Sequence, residues 1–105
     1  MTPEAISAEQ RALRVPILPT TRGGYLREAR WWELEAMRPN LDYEVERGEW
    51  VREGKRLVYR PGVTSRAKSL QYARNMRLLA ELASIYGSGT CLELKARRAA
   101  AGGVA

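Results

Sequence analysis

A chain of 105 residues with 45% hydrophobic and 29% charged residues has the balance of one small globular domain and not of a disordered segment, and it can bury a core with little margin. Its net charge of +6 and pI near 10.0 favour an acidic partner such as nucleic acid, an anionic membrane surface or an acidic protein. With no histidine and one cysteine, Cys91, the residues support neither an internal disulfide nor a histidine-based metal site or triad.

Residues 2–13, "TPEAISAEQRAL", read as a short helix: Thr2 caps it, Pro3 suits the first helical position and Glu4 suits the positive end of the dipole. No signal peptide is expected, because this N-terminus is acidic and lacks an apolar run. The next stretch, "VPILPTTRGG", holds two prolines and two glycines and reads as an extended connector. Val15, Ile17 and Leu18 are expected to pin it to the body.

A second helix is predicted over Tyr25 to Arg38, stopped by Pro39. Tyr25, Ala29, Trp32 and Ala36, flanked by Leu26 and Met37, share one apolar face. Trp31 points about a hundred degrees around the helix, on the side of Arg27 and Glu35. It is a candidate for a protein interface, together with Arg27.

Residues 40–61 read as strands broken by glycines. The tight turn is expected at Glu53-Gly54, so that Arg52 faces Lys55, Val51 faces Arg56 and Trp50 faces Leu57. A long helix follows over about residues 65–86, capped by Thr64 or Ser65 and ended by Gly87. Tyr72, Met76, Leu79, Ala83 and Tyr86 form its stripe, and its second half is apolar around most of its circumference. Leu78, Leu82 and Ile85 are therefore also interface candidates. Arg77 is expected to pair with Glu81, four residues on. "TCLEL" alternates and reads as a short third strand, and residues 96–105 as a basic, flexible tail.

The fold expected is α+β: a small antiparallel hairpin or sheet packed against two main helices, with an accessory N-terminal helix. Residues 1–24 hold that helix and its connector, 25–95 the helix-hairpin-helix core, and 96–105 the tail. No run approaches the ~20 apolar residues of a membrane helix, so a soluble, cytoplasmic protein is expected, with no membrane, cofactor, metal or small-molecule substrate.

No motif names a catalytic activity. There is one aspartate, Asp42, and alternating glutamates such as Glu44 and Glu46 suit a solvated strand better than acid–base work. "GEWVREGK" has five residues between its glycines and no Ser or Thr after the lysine, so it is not a phosphate loop. Fifteen of the 18 basic residues are arginine, the side chain that binds phosphate in bidentate fashion. Arg47, Arg52, Lys55, Arg56 and Arg60 on the hairpin, with Arg97 and Arg98 in the tail, are the nucleic-acid-binding candidates. The bland alternative is that charge only keeps an exposed ribbon from pairing edge to edge.

"REGKRLVYRPGVTS" running into "LLAELASIYG" and then a basic, glycine-containing tail resembles the small head-to-tail joining proteins (the W protein family) of lambda-like phages. The shared pattern is an acidic residue and glycine at a turn, two basic residues, an aliphatic-x-aromatic strand, a serine-opened helix ending near a glycine, and an arginine cluster. Here it falls on Glu53, Gly54, Lys55, Arg56, Leu57, Tyr59, Ser65, Gly87, Arg97 and Arg98, within residues 25–100. The chain departs from it in its N-terminal helix, its proline connector and the longer loop "RPNLDYEVERGE". The resemblance implies a non-enzymatic virion component that assembles as a ring between portal and tail. The expectation is thus a binding protein, acting through self-association or a protein partner. The alternatives are a basic nucleic-acid-binding regulator that uses the hairpin, and a phage-encoded inhibitor of a host complex.

Overall fold

The computed structural model describes residues 1–39, 49–60 and 65–102. Among these residues four helices and one antiparallel hairpin make an α+β fold: α1 (Pro3–Leu13), α2 (Arg22–Glu35), β1 (Glu49–Glu53), β2 (Arg56–Arg60), α3 (Ser65–Tyr86) and α4 (Cys91–Gly102). Pairing of α2 with α3 is the main packing, α1 lies on α2, and α4 lies on α3. Among the described residues β1 and β2 contact each other and no helix, so the helices pack on one another where the sequence reading seated the sheet upon them.

The start of α1 follows local rules. Thr2 Oγ1 accepts a hydrogen bond from the Ala5 N–H at 3.2 Å, and Pro3 opens the first turn. The helix closes on Arg14, at φ 48° and ψ 53°, in the left-handed region. Two of the three aliphatic residues expected to pin the connector do not: Ile17 is 97% exposed and Leu18 is nearly as bare, while Val15 is half-buried beside Trp31 and Trp32. The connector is held through its prolines and backbone. Pro16 and Pro19 crowd Gly24, where a Cβ would meet Pro16 Cγ at 3.3 Å. Further along, the Thr20 carbonyl accepts from the Gly89 N–H at 2.9 Å.

Helix α2 begins three residues before its predicted start. Thr21 Oγ1 caps the Gly24 N–H at 3.1 Å, and two glycines sit in the first turn despite their poor helix propensity. The close approach of the prolines to Gly24 outweighs that preference. The helix also stops early, at Glu35. Beyond it, the Ala36 and Arg38 carbonyls accept from the Arg66 guanidinium of α3, which satisfies oxygens that a helix end leaves open.

The hairpin register pairs Glu53 with Arg56, Arg52 with Leu57, Val51 with Val58, Trp50 with Tyr59 and Glu49 with Arg60. The turn is therefore Gly54-Lys55, one residue later than predicted. Gly54 has φ 64° and Lys55 has no positive φ; a turn with its glycine at the first central position has this pattern. The shift also sets Glu53 and Glu49 across from Arg56 and Arg60, opposite charges in place of a Val–Arg pair.

The core cluster joins Tyr25 of α2 to Leu79, Ala80, Leu82 and Ala83 of α3 and Leu94 of α4. Tyr72, predicted in the buried stripe, is exposed, although its ring centroid lies 4.8 Å from that of Trp32. Arg77 pairs not with Glu81 but with Glu33 of α2, at 2.6 Å, a tie between helices. The predicted third strand is the first turn of α4, and the predicted flexible tail is helical through Gly102. Thr90 and Glu93 form a reciprocal cap: the Glu93 N–H donates to Thr90 Oγ1 at 3.2 Å and the Thr90 N–H donates to Glu93 Oε2 at 3.1 Å. That cap commits "TCLEL" to a helix.

A polar lock holds α1 on α2. Gln10 is buried and its amide donates to the Trp31 carbonyl at 3.2 Å and to Glu35 Oε2 at 2.8 Å. The Arg38 guanidinium completes it, donating to Glu35 Oε2 at 2.9 Å, to Gln10 Oε1 at 2.7 Å and to Ser7 Oγ at 3.0 Å. Burial pushes the Glu35 carboxyl up, but the hydrogen bonds from Gln10 and Arg38 and the charge of Arg38 outweigh it, so its pKa falls below its ordinary 4.5. A carboxylate with a depressed folded-state pKa contributes stability that is complete above its unfolded pKa and lost as pH falls through the folded one. Urea midpoints followed by circular dichroism should therefore be level above about pH 5 and fall below about pH 4.5. Glu35→Gln should cost about 1–3 kcal/mol near neutral pH and remove the Glu35 part of that acid slope. An acid slope identical in wild type and variant would refute the role given to this carboxylate.

Candidate protein-binding groove

Large apolar groups stand exposed on α3, α4 and the connector before α2. Leu92 is 78% exposed and Leu78 47% exposed, and Ile17 and Leu18 of the connector are bare. Two cavities open among them. One, of about 340 Å³, runs from Ile17, Leu18 and Pro19 past Tyr25 and Glu28 to Leu92. The other, of about 320 Å³, lies between Asn75, Leu78 and Leu82 of α3 and Lys95 and Arg98 of α4. Both are lined by Met76, Leu79 and Cys91, so they adjoin as one groove with Cys91 at its middle.

Local rules place each wall. Leu78, Leu79 and Leu82 fall on neighbouring turns of α3, with Leu79 and Leu82 buried as the floor and Leu78 standing at the edge. The Thr90–Glu93 cap sets the start of α4, and its Leu94 is fully buried against α3. Cys91, one turn before Leu94 and Lys95, therefore faces the groove, and Lys95 and Arg98, three residues apart, share an edge. No carboxylate lies within ion-pair distance of Lys95 or Arg98 among the described residues. Asn75 accepts at its Oδ1 from Gln71, which leaves its amide N–H groups as donors. This edge is built from donors and its floor from aliphatic side chains.

The predicted site residues separate. Leu82 is 6% exposed, belongs to the core cluster and forms part of the groove floor. It faces α4, whose helical character the sequence reading missed. Leu78 and Ile85 are exposed, and only Leu78 lines the groove. Trp31 is half-buried: its ring stands edge-on to Trp32 with centroids 4.9 Å apart, and it borders a cavity of about 220 Å³ with Val15 and Glu28. Arg27 is exposed and donates to the Gly23 carbonyl of its own helix at 3.3 Å.

Among the basic candidates, Arg52, Lys55 and Arg56 are exposed around the hairpin turn. Arg60 lies at the end of β2, and Arg47 lies outside the described residues, as do Asp42, Glu44, Glu46 and the alternative cap Thr64. The Arg97 guanidinium donates to the Tyr86 carbonyl at 2.7 Å and the Ser88 carbonyl at 3.2 Å, closing the end of α3, and the residue is exposed. Arg98 faces the groove. Asn75, Cys91, Leu92 and Lys95 were missed. The signal that would have found the last three is the T-x-x-E sequence of residues 90–93, which turns the following residues into a helix.

Among the described residues no group of three His, Cys, Asp or Glu side chains is placed to hold a metal ion. No helix among them is long and apolar enough to cross a membrane. Comparison with protein-family models, with curated proteins and with solved structures finds no significant match.

The floor and edge of the groove should respond differently to truncation. Leu82→Ala should lower stability by about 2–4 kcal/mol, as for a buried leucine, whereas Leu78→Ala should cost about 1 kcal/mol or less. Chemical denaturation measures both, and equal losses would contradict the division into floor and edge.

Proposed function

We propose that this chain is a non-enzymatic assembly protein of the head-to-tail joining kind, acting through protein contacts made on the groove of α3, α4 and the connector. The observation that carries the reading is the run of exposed Ile17, Leu18, Leu78 and Leu92 around an open apolar groove. A small chain leaves large apolar groups bare at a cost in solubility, and contiguous ones mark contact surfaces. A photo-crosslinker attached to Cys91 should yield protein adducts, either with a second copy or with another chain, when the protein is expressed in its native setting. Leu78→Asp with Leu92→Asp, both outside the core cluster, should reduce the yield about tenfold or more while leaving the helical circular dichroism intact. Absence of protein adducts above the level of the double variant overturns the reading.

A second reading, a nucleic-acid-binding protein, is favoured by one observation: Arg52, Lys55 and Arg56 are exposed around a turn whose strands contact no helix among the described residues. Two-stranded ribbons of this type enter the major groove. Here Glu53 sits across from Arg56 and weakens the local positive field. On this reading labelled duplex or single-stranded DNA binds with a steep salt dependence over about 50–200 mM, and Arg52→Ala and Arg56→Ala each flatten the slope by about one unit per lost phosphate contact. No binding at the low end of that range removes it.

A further inference from the structure

The groove has a chemistry that selects its occupant. Between Leu78 and Arg98 its walls are α3 and α4, whose backbone donors and acceptors are spent within the helices themselves. That part offers no sheet edge, so an extended peptide would enter it with its own backbone groups unpaired. An occupant that satisfies its backbone internally, a helix, meets no such penalty. The floor of Met76, Leu79 and Leu82 takes aliphatic side chains, and Leu78 and Leu92 rise beside it. Along one edge Asn75, Lys95 and Arg98 present hydrogen-bond donors and two positive charges.

Other basic side chains nearby are already employed. Arg77 is paired with Glu33, Arg74 donates to Gln71, and Arg97 closes the end of α3. Lys95 and Arg98 have no acidic partner among the described residues, and the chain as a whole carries +6. The complement is an aliphatic stripe bordered by carboxylates. A nucleic acid would bring phosphate but no aliphatic face, and the Lys95–Arg98 end of the groove has no aromatic ring on which a base could stack. A membrane surface would need apolar groups that project, whereas Leu79 and Leu82 lie at the bottom of a recess.

We infer that the α3/α4 groove binds an amphipathic helix of a partner protein, its aliphatic face on Met76, Leu79 and Leu82 and a row of carboxylates against Lys95 and Arg98. This rests on the protein-binding reading above and goes further in naming the partner's chemistry.

The test uses the full chain with an environment-sensitive fluorophore on Cys91, and two synthetic helices of about five turns. Both carry the same leucine stripe; one is flanked by glutamates and the other by lysines. At about 50 mM salt the acidic peptide should shift the fluorescence and bind at least about tenfold more tightly than its basic twin, and the ratio should shrink as salt rises. Lys95→Glu with Arg98→Glu alters two exposed residues and should reverse the order. Equal binding of the two peptides, binding of neither, or an order that the double variant leaves unchanged overturns the inference. So does fluorophore protection by anionic phospholipid vesicles but by neither peptide, which would assign the groove to a lipid surface. If the Cys91 crosslink captures only a second copy of this chain, the groove still binds protein but its occupant is not an acidic partner helix; if it captures no protein, the broader reading falls as well.

Discussion

The hydrogen bond from the Tyr25 hydroxyl to the Gly89 carbonyl, 2.8 Å long and fully buried, is the contact on which the arrangement of the other elements depends. The Tyr25 ring belongs to the core cluster with Leu79, Leu82 and Leu94, and its hydroxyl reaches the turn between α3 and α4. The amide of the same glycine donates to the Thr20 carbonyl. One side chain of α2 thereby sets the position of the connector on one side and the start of α4 on the other. Burial, followed by the neighbouring Cys91, Glu28 and Glu93, raises the phenol pKa, in keeping with a hydroxyl that donates in this bond. Gly89 is suited to the place because a Cβ there would lie 2.9 Å from Glu93 Oε2, the oxygen that caps α4.

Arginine has a second use in this chain that net charge conceals. Arg66 closes the end of α2, Arg97 closes the end of α3, Arg38 ties α1 to α2, and Arg77 ties α2 to α3. A planar guanidinium with several donors can satisfy two carbonyl oxygens at a helix end at once. A domain with a thin apolar core gains order from such ties, because each replaces water at groups that would otherwise remain open. Among the described residues, Arg52, Lys55 and Arg56 stand exposed at the hairpin turn, and Lys95 and Arg98 beside the groove.

The candidate groove was only partly legible in the sequence. Leu78 stood out because the second half of α3 is apolar on nearly every side, and such a helix must bury more than one face. Which of Leu78, Leu82 and Ile85 would face α4 could not follow from α3 alone, since the answer depends on where α4 crosses. Its walls from α4 were hidden because "TCLEL" satisfies strand alternation over five residues, too short a run for period to decide between strand and helix. The connector misled in the opposite direction. Its aliphatic residues suggested anchoring, yet Ile17 and Leu18 are bare and, beside half-buried Val15, the anchors are prolines against a glycine and one backbone hydrogen bond, contacts with no hydrophobic periodicity to betray them.

Local chemistry in the sequence determined the helix α1 through Thr2 and Pro3, the extent of α3 from Ser65 to Tyr86, before Gly87, the existence of the hairpin and the α+β class. These depend on caps, glycine and apolar period within a few residues. Tertiary structure alone decided the early start of α2, the burial of Gln10 and Leu34, the pairing of Arg77 with Glu33 and the capping role of Arg97. The physical reason is separation along the chain. Trp31 and Gln10, Gly89 and Tyr25, and Glu33 and Arg77 meet across 21, 64 and 44 residues, and no local preference encodes a partner that far away.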